Sequence, residues 1–176
     1  AVVSGHDVAD WDQAGEMVKL AIESFGDLHV LVNNAGILRD RTLANMTEGD
    51  WDAVIRVHLK GHAAPSHHAV AYWRDQAKAG HEIKASVVHT SSVAGFTGNF
   101  GQANYSSAKL AIVALSRVVS LESHKYGVRS NVISPSARTR LSLTVPGAEE
   151  QLKSPEDPKK LDPFDPANMS PLVGWL

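Results

Sequence analysis

Apolar residues recur along this chain in two alternating rhythms. Trp11, Ala14, Met17, Val18, Ala21, Ile22 and Phe25 follow helical spacing, with Asp10 placed to cap the helix and Gly26 to stop it. Val30-Leu31-Val32 is a short apolar run that meets Asn33-Asn34-Ala35-Gly36, the pattern of a buried strand ending in a turn. Thr47 and Asp50 form a capping-box pattern, opening a second helix with Trp51, Val54, Ile55, His58 and His62 along one face. Gly61 and Pro65 interrupt that helix, and because proline has no N–H for the Gly61 carbonyl, a kink is expected there. Residues 85–91 read as the next strand, 102–126 as a long helix closed by Gly127, and 128–134 as a strand ending at Pro135. This alternation predicts an α/β fold with a parallel sheet covered on both faces. The rhythm is lost from Ala137 onward, where six of the eight prolines fall between Pro146 and Pro171. The chain therefore divides into residues 1–140 and an irregular segment, 141–176, that reads as a lid over a site or a loose tail, with a helix starting near Ser170.

Composition narrows the function classes. With 176 residues and 43% apolar positions, the length suits one domain with an ordinary core. No run of eighteen apolar residues is present to cross a bilayer. A net charge of −2 with both signs interspersed offers no basic stripe for nucleic acid and no polybasic cluster for a membrane. The absence of cysteine excludes disulfides, thiolate metal sites and a cysteine nucleophile, and fits a cytoplasmic setting. Residues 1–8 have neither the basic start nor the apolar stretch of a signal peptide. Nine histidines invite a metal reading, but Leu59 stands where a His-Glu-x-x-His site needs its glutamate, and the expectation is no metal.

The chemistry concentrates at Tyr105 and Lys109. Four residues apart in a helix, their Cβ atoms lie about 5 to 6 Å apart on one face. A unit charge at that distance, at an effective dielectric of about 20, contributes on the order of 3 kcal/mol, or about two pKa units. Lys109 is therefore expected to acidify Tyr105 from near about 10 towards the range useful for acid-base catalysis. Ligands of open α/β sheets bind beyond the carboxyl ends of the strands. The polar clusters sit at those ends: Asp7-Val8, Asn33 to Gly36, Ser91-Ser92 and Pro135-Ser136.

Asn33-Asn34-Ala35-Gly36, Ser92 thirteen residues before Tyr105, and Tyr105-Ser106-Ser107-Ala108-Lys109 together resemble the short-chain dehydrogenase/reductase family, over Asp7 to about Thr139. The resemblance implies a Rossmann-like doubly wound parallel sheet and an oxidoreductase that moves hydride between NAD or NADP and a secondary alcohol or ketone. It implies Tyr105 as acid/base, Lys109 as the group that lowers its pKa and holds the nicotinamide ribose, and Ser92 as the hydrogen-bond donor to the substrate, with Ser91 as competitor. Asp7 and Val8 would touch the adenine, Asn34, Ala35 and Gly36 would lie along the cofactor, and Pro135, Ala137 and Thr139 would line its nicotinamide side. The stretches Ile37-Leu38-Arg39-Asp40-Arg41 and Val57-His58-Leu59 look most like reductases of 3-oxoacyl or 3-hydroxyacyl thioesters, with hydroxysteroids or small polyols as other small-molecule substrates. A scaffold that keeps the fold without turnover is the alternative from another class. Related enzymes pair through the helices at Trp51 and Ile112, which implies a homodimer or homotetramer of the whole protein.

Two positions depart from the family pattern. His58 stands where an asparagine in a Val-Asn-Leu setting is usual, and is expected to relay protons towards Lys109 and to titrate near about 6.5. Ser136 stands where glycine commonly follows proline. A Gly-rich pyrophosphate turn is absent from the sequence. The reading is an incomplete fold without its first two strands and its last. Residues 1–4 would then form a strand without a neighbour, Val30 would expose one sheet edge, and the chain by itself would bind nicotinamide cofactor poorly.

Overall fold

The computed structural model describes every residue of the chain except Pro146 and Pro158, so those two prolines of the irregular segment lie outside the described residues. Two compact units are present, Ala1–Ile133 and Ser134–Leu176.

In the first unit, helix α1 spans Trp11–Phe25; the Asp10 carboxylate accepts from the Gln13 N–H, and Gly26 ends the helix with φ at 84°. Such a left-handed stop favours glycine because no Cβ crowds the turn. Strand β1, Val30–Asn33, follows. Helix α2, Glu48–Ile55, opens on a reciprocal capping box between Thr47 and Asp50. It runs into a π-helical turn, Arg56–Lys60, and on into α3, Gly61–Lys78. The expected break thus lies upstream of Pro65, which sits inside α3: the Gly61 N–H reaches back to the Arg56 carbonyl, giving the wide turn that often marks functional sites. Strand β2, Ala85–Thr90, is buried at every position. A short helix α4, Ala94–Thr97, precedes the long helix α5, Ala103–Ser123, which ends in a 3₁₀ turn closed by Gly127 at φ 82°. Strand β3, Val128–Ile133, completes the unit.

The strands form a parallel sheet in the order β1-β2-β3, with Leu31 opposite Val87, Asn33 opposite His89, and Thr90 opposite Ile133. Both connections move the chain in the same direction across the sheet, and right-handed crossovers then lay their helices on the same face. The core shows this: Val18 of α1, Ala69 and Trp73 of α3, and Val119 of α5 gather with Leu31, Ala85, Val87 and Val128. Trp73, 1% exposed, also donates from its indole N–H to the Leu28 carbonyl at 2.6 Å. The expectation of helices over both faces is met on one face of this unit. On β1 the alternate residues Val30 and Val32 remain 50% and 46% exposed, and the strand has a partner on one side only. Residues 1–4 form no strand; with no neighbour for their backbone groups, nothing holds them extended in a ladder. Ile112 is fully buried within the chain, so the apolar surface of α5 is carried instead by Leu110, Val118 and Leu121.

Among its described residues the second unit holds short α-helices α6, Ala148–Gln151, and α7, Ser170–Trp175. Arg138 organises it: the guanidinium pairs with the Asp162 carboxylate and donates to the Leu152 carbonyl at 2.7 Å. Its backbone N–H reaches the Phe164 carbonyl at 2.7 Å.

A Cβ on Gly127 would lie 2.0 Å from the Ile83 carbonyl oxygen, at a φ that L-residues avoid. We expect Gly127→Ala to lower unfolding free energy by about 2 to 4 kcal/mol, read as a reduced urea midpoint with unchanged slope.

Candidate active site

The carboxyl ends of β1 and β2 and the first turns of α5 converge on one cluster. Lys109, on α5, is 3% exposed, and its ammonium donates to the Thr90 carbonyl at the end of β2 at 2.7 Å. Ser91 returns the tie: its hydroxyl donates to the Lys109 carbonyl at 2.7 Å, and its N–H to the Ile133 carbonyl at 2.8 Å. That commits Ser91 to structure and separates it from Ser92, whose hydroxyl accepts from the Ala94 N–H at 3.3 Å and lies close enough to the Tyr105 phenol to act on its pKa. The Lys109 Nζ lies 5.5 Å from the centre of the Tyr105 ring. Ser92, Tyr105 and Lys109 are therefore brought together.

The electrostatics differ from the expectation of an acidified phenol. Burial pushes the Tyr105 pKa up, the Ser92 hydroxyl opposes the rise, and Asp40 adds to it. The ammonium stands beside the ring and spends a hydrogen bond on Thr90, so desolvation of the phenolate wins. Lys109 itself is brought down to about 8 by burial.

His58 lies in the π-helical turn, 1% exposed, with its ring edge-on to Tyr105 at 5.2 Å and 89°. Its Nε2 is 2.8 Å from the Ile37 carbonyl and 3.1 Å from the Ile37 N–H. Burial first, and then the Lys109 charge, push its pKa down to about 4. The titration expected near neutrality is thereby removed, and His58 is a neutral imidazole at physiological pH. Its ring also explains Gly36: a Cβ there would sit 2.6 Å from His58 Cε1.

The two asparagines at the end of β1 point apart. Asn34 Oδ1 accepts from the Thr90 hydroxyl at 3.0 Å, whereas Asn33 is buried and donates to Ser66 Oγ at 2.9 Å. Val8, Asn34 and Ala35 line one cavity of about 260 Å³, shared with Asn33, Gly61 and the open side of β1. Asp7 takes a different part: its carboxylate pairs with Arg56 at 2.6 Å and accepts from the Ala9 N–H at 2.8 Å, and the Arg56 hydrogen bond holds its pKa below the usual carboxylate range. Pro135, Ala137 and Thr139 belong to the second unit, where Ser142 Oγ accepts from the Thr139 N–H at 2.7 Å and donates to the Ala137 carbonyl at 2.9 Å.

The model for the short chain dehydrogenase family matches residues 1–143. The chain belongs to the short-chain dehydrogenase family. It is 42% identical, over its whole length, to a hydroxyacyl-CoA dehydrogenase of Mycobacterium tuberculosis, and covers 55% of that protein. It is 40% identical over 98% of its length to peroxisomal multifunctional enzyme type 2 of Mus musculus, covering 22% of it. A 3-oxoacyl-[acyl-carrier-protein] reductase of Thermotoga maritima is 39% identical over 73% of the chain and is covered to 50%. Among solved structures, a short chain dehydrogenase from Mycobacterium avium superposes with a TM-score of 0.86 at 49% identity, covering 100% of this chain and 56% of that one. The chain thus spans about half the length, or less, of these relatives.

Sequence reasoning did not pair His62 with His89. Both are fully buried and their rings stack at 5.7 Å and 17°; the signal was a helical histidine and a strand histidine, linked only through the register. Among the described residues no group of three metal-ligating side chains is assembled.

Burial holds His58 and His89 at about 4 and His62 at about 3, against 6.5 for an ordinary imidazole. These folded-state values are depressed, so the unfolded chain binds the protons first and stability falls as pH drops from 6.5 towards 4. Urea unfolding across that window should show the decline, and His89→Leu should make it shallower; an equally steep decline in the variant would contradict the assignment.

Proposed function

We propose that the whole protein is an NAD(P)-dependent oxidoreductase that interconverts a secondary alcohol and a ketone, with a 3-oxoacyl or 3-hydroxyacyl thioester as substrate. The grouping of Ser92 with the Tyr105 phenol, and the Lys109 ammonium 5.5 Å from the centre of that ring, carry this reading. The thioester class draws on the names of the hydroxyacyl-CoA dehydrogenase and oxoacyl reductase relatives.

The residues present fit the ribose end of a nicotinamide cofactor. A lysine ammonium has three donors, and the Thr90 carbonyl takes one at 2.7 Å, leaving donors for ribose hydroxyls. Asn34, Ala35 and Gly36 supply backbone and amide groups at the strand end. When bound, nicotinamide supplies or accepts the hydride. In reduction, Ser92 donates a hydrogen bond to the substrate carbonyl oxygen, and Tyr105 gives that oxygen its phenolic proton as it becomes a hydroxyl. In oxidation the same proton returns to the phenolate. Its raised pKa keeps the phenol protonated at neutral pH, the form that reduction requires. The positive charge of Lys109 stabilises the phenolate after transfer, and neutral His58 can pass a proton by accepting at one ring nitrogen and donating at the other. The apolar outer positions Leu110, Val118 and Leu121 of α5 and Trp51 of α2 suit pairing into a homodimer or homotetramer.

In the full-length protein, Tyr105→Phe should lower kcat for thioester reduction by about 10²- to 10⁴-fold while cofactor affinity persists; wild-type turnover in that variant would overturn the reading. The 176-residue chain alone should show no cofactor fluorescence change at micromolar concentration, since the Gly-rich phosphate turn is not among its residues; micromolar binding would count against this.

A further inference from the structure

The segment 91–95 meets α5 at a single peptide group. Ser91, 2% exposed, donates from its hydroxyl to the Lys109 carbonyl at 2.7 Å. Four residues on, the bare Cα of Gly95 faces the same linkage: a Cβ at residue 95 would lie 3.0 Å from the Lys109 carbonyl carbon, 2.9 Å from the Leu110 nitrogen and 3.3 Å from the Lys109 Cβ. Gly95 is not a turn glycine. It is absent from the glycines of positive φ, so its backbone is open to any L-residue, and close approach alone excludes a side chain there.

Ser92 sits between these two contacts. Its carbonyl accepts from the Gly95 N–H at 3.0 Å, and its hydroxyl accepts from the Ala94 N–H at 3.3 Å. On the other flank the Ser91 N–H reaches the Ile133 carbonyl, at the end of β3, at 2.8 Å. Ser92 is therefore tied to Gly95, and Gly95 is seated on α5. Tyr105 lies on that same helix, one turn before Lys109. Since the helix is rigid over one turn, the spacing of Ser92 and Tyr105 follows from how closely α4 seats on α5. A Cβ at residue 95 would meet backbone atoms, which cannot rotate aside as the end of a side chain can. The helix that yields is α4: it has one turn and no buried residue, with Val93 and Phe96 59% and 62% exposed beside it, whereas α5 runs for 21 residues with Ala108 and Ile112 fully buried.

We propose that Ser91 and Gly95 are positioning residues that together clamp the Lys109–Leu110 peptide of α5 and so fix the Ser92 hydroxyl against the Tyr105 phenol. The proposal rests on the roles given above to Ser92 and Tyr105. Neither clamp residue touches substrate or cofactor; both act through Ser92. A hydrogen-bond donor aimed at a substrate oxygen loses its effect when it is displaced by a fraction of its own bond length, so the closeness of α4 to α5 becomes a condition of turnover.

The test uses the full-length protein. Gly95→Ala should lower kcat by about 10²-fold, the cost of a misplacement of roughly 1 Å, and Ser91→Ala by about 10-fold. If Gly95→Ala does not fold, Ser91→Ala carries the test: a helical carbonyl keeps the N–H four residues on, so this variant leaves no buried polar group unpaired. In a Ser92→Ala background each further change should cost less than about 2-fold, because the clamp acts through Ser92. Gly98→Ala is the control. It strains the end of α4 at φ 70°, yet its Cβ would meet nothing within 4 Å, so thermal stability should fall while kcat holds. A readout without turnover is the phenol titration, followed with ¹³C-labelled tyrosine and assigned by its loss in Tyr105→Phe. The Ser92 hydroxyl lowers that pKa, so Ser92→Ala, Gly95→Ala and Ser91→Ala should each raise the midpoint. Unmoved kcat and midpoint in the folded variants, losses that add to that of Ser92→Ala, or an equal loss in Gly98→Ala overturns the proposal. A protein without oxidoreductase activity that still shows the titration shifts would sink the enzymatic reading and not the clamp.

Discussion

A lysine ammonium carried into a protein interior has to find oxygen, and here the oxygen is the carbonyl at the end of the central strand. The Lys109 to Thr90 bond ties the second turn of α5 to β2, and the Ser91 hydroxyl ties it back through the Lys109 carbonyl. The next residue, Ser92, is free of that tie; its hydroxyl accepts from the Ala94 N–H and acts on the Tyr105 phenol. Losing either tie would leave a charge or a hydroxyl unpaired in a region without water access, which is costlier than the bond itself is favourable.

Around that tie the site is built from neutral polar groups. His58 reaches from a widened helical turn to the backbone after Gly36, and Asn33 braces β1 against Ser66 and His89. Burial keeps the imidazoles uncharged, and it brings Lys109 down to about 8. The phenol, its pKa pushed up by burial, is likewise uncharged at neutral pH.

Local signals carried most of the fold. Asp10 and Gly26 bound α1, Thr47 and Asp50 open α2, and Gly127 closes the end of α5 as their chemistry requires. Each acts over a few residues and can be read without knowing the packing. The nearness of Tyr105 and Lys109 was legible for a similar reason, since helical spacing sets them on one face. What spacing could not show was the sign of the tyrosine shift, which depends on burial and on where the ammonium points. Nor could it show that Ile112 faces inward, or that a π-helical turn rather than Pro65 absorbs the irregularity of the second helix. The His62 and His89 contact needs both the phase of α3 and the register of β1 on β2, neither of which is written in either residue's neighbourhood.

Gly36 and His58 interlock: the imidazole fills the volume that a Cβ at residue 36 would need, and its nitrogen is anchored on the very next peptide. These two positions are therefore not independent during divergence. A side chain can enter at 36 only in step with a smaller or differently shaped residue at 58, so a homologue that alters one should carry a compensating change at the other.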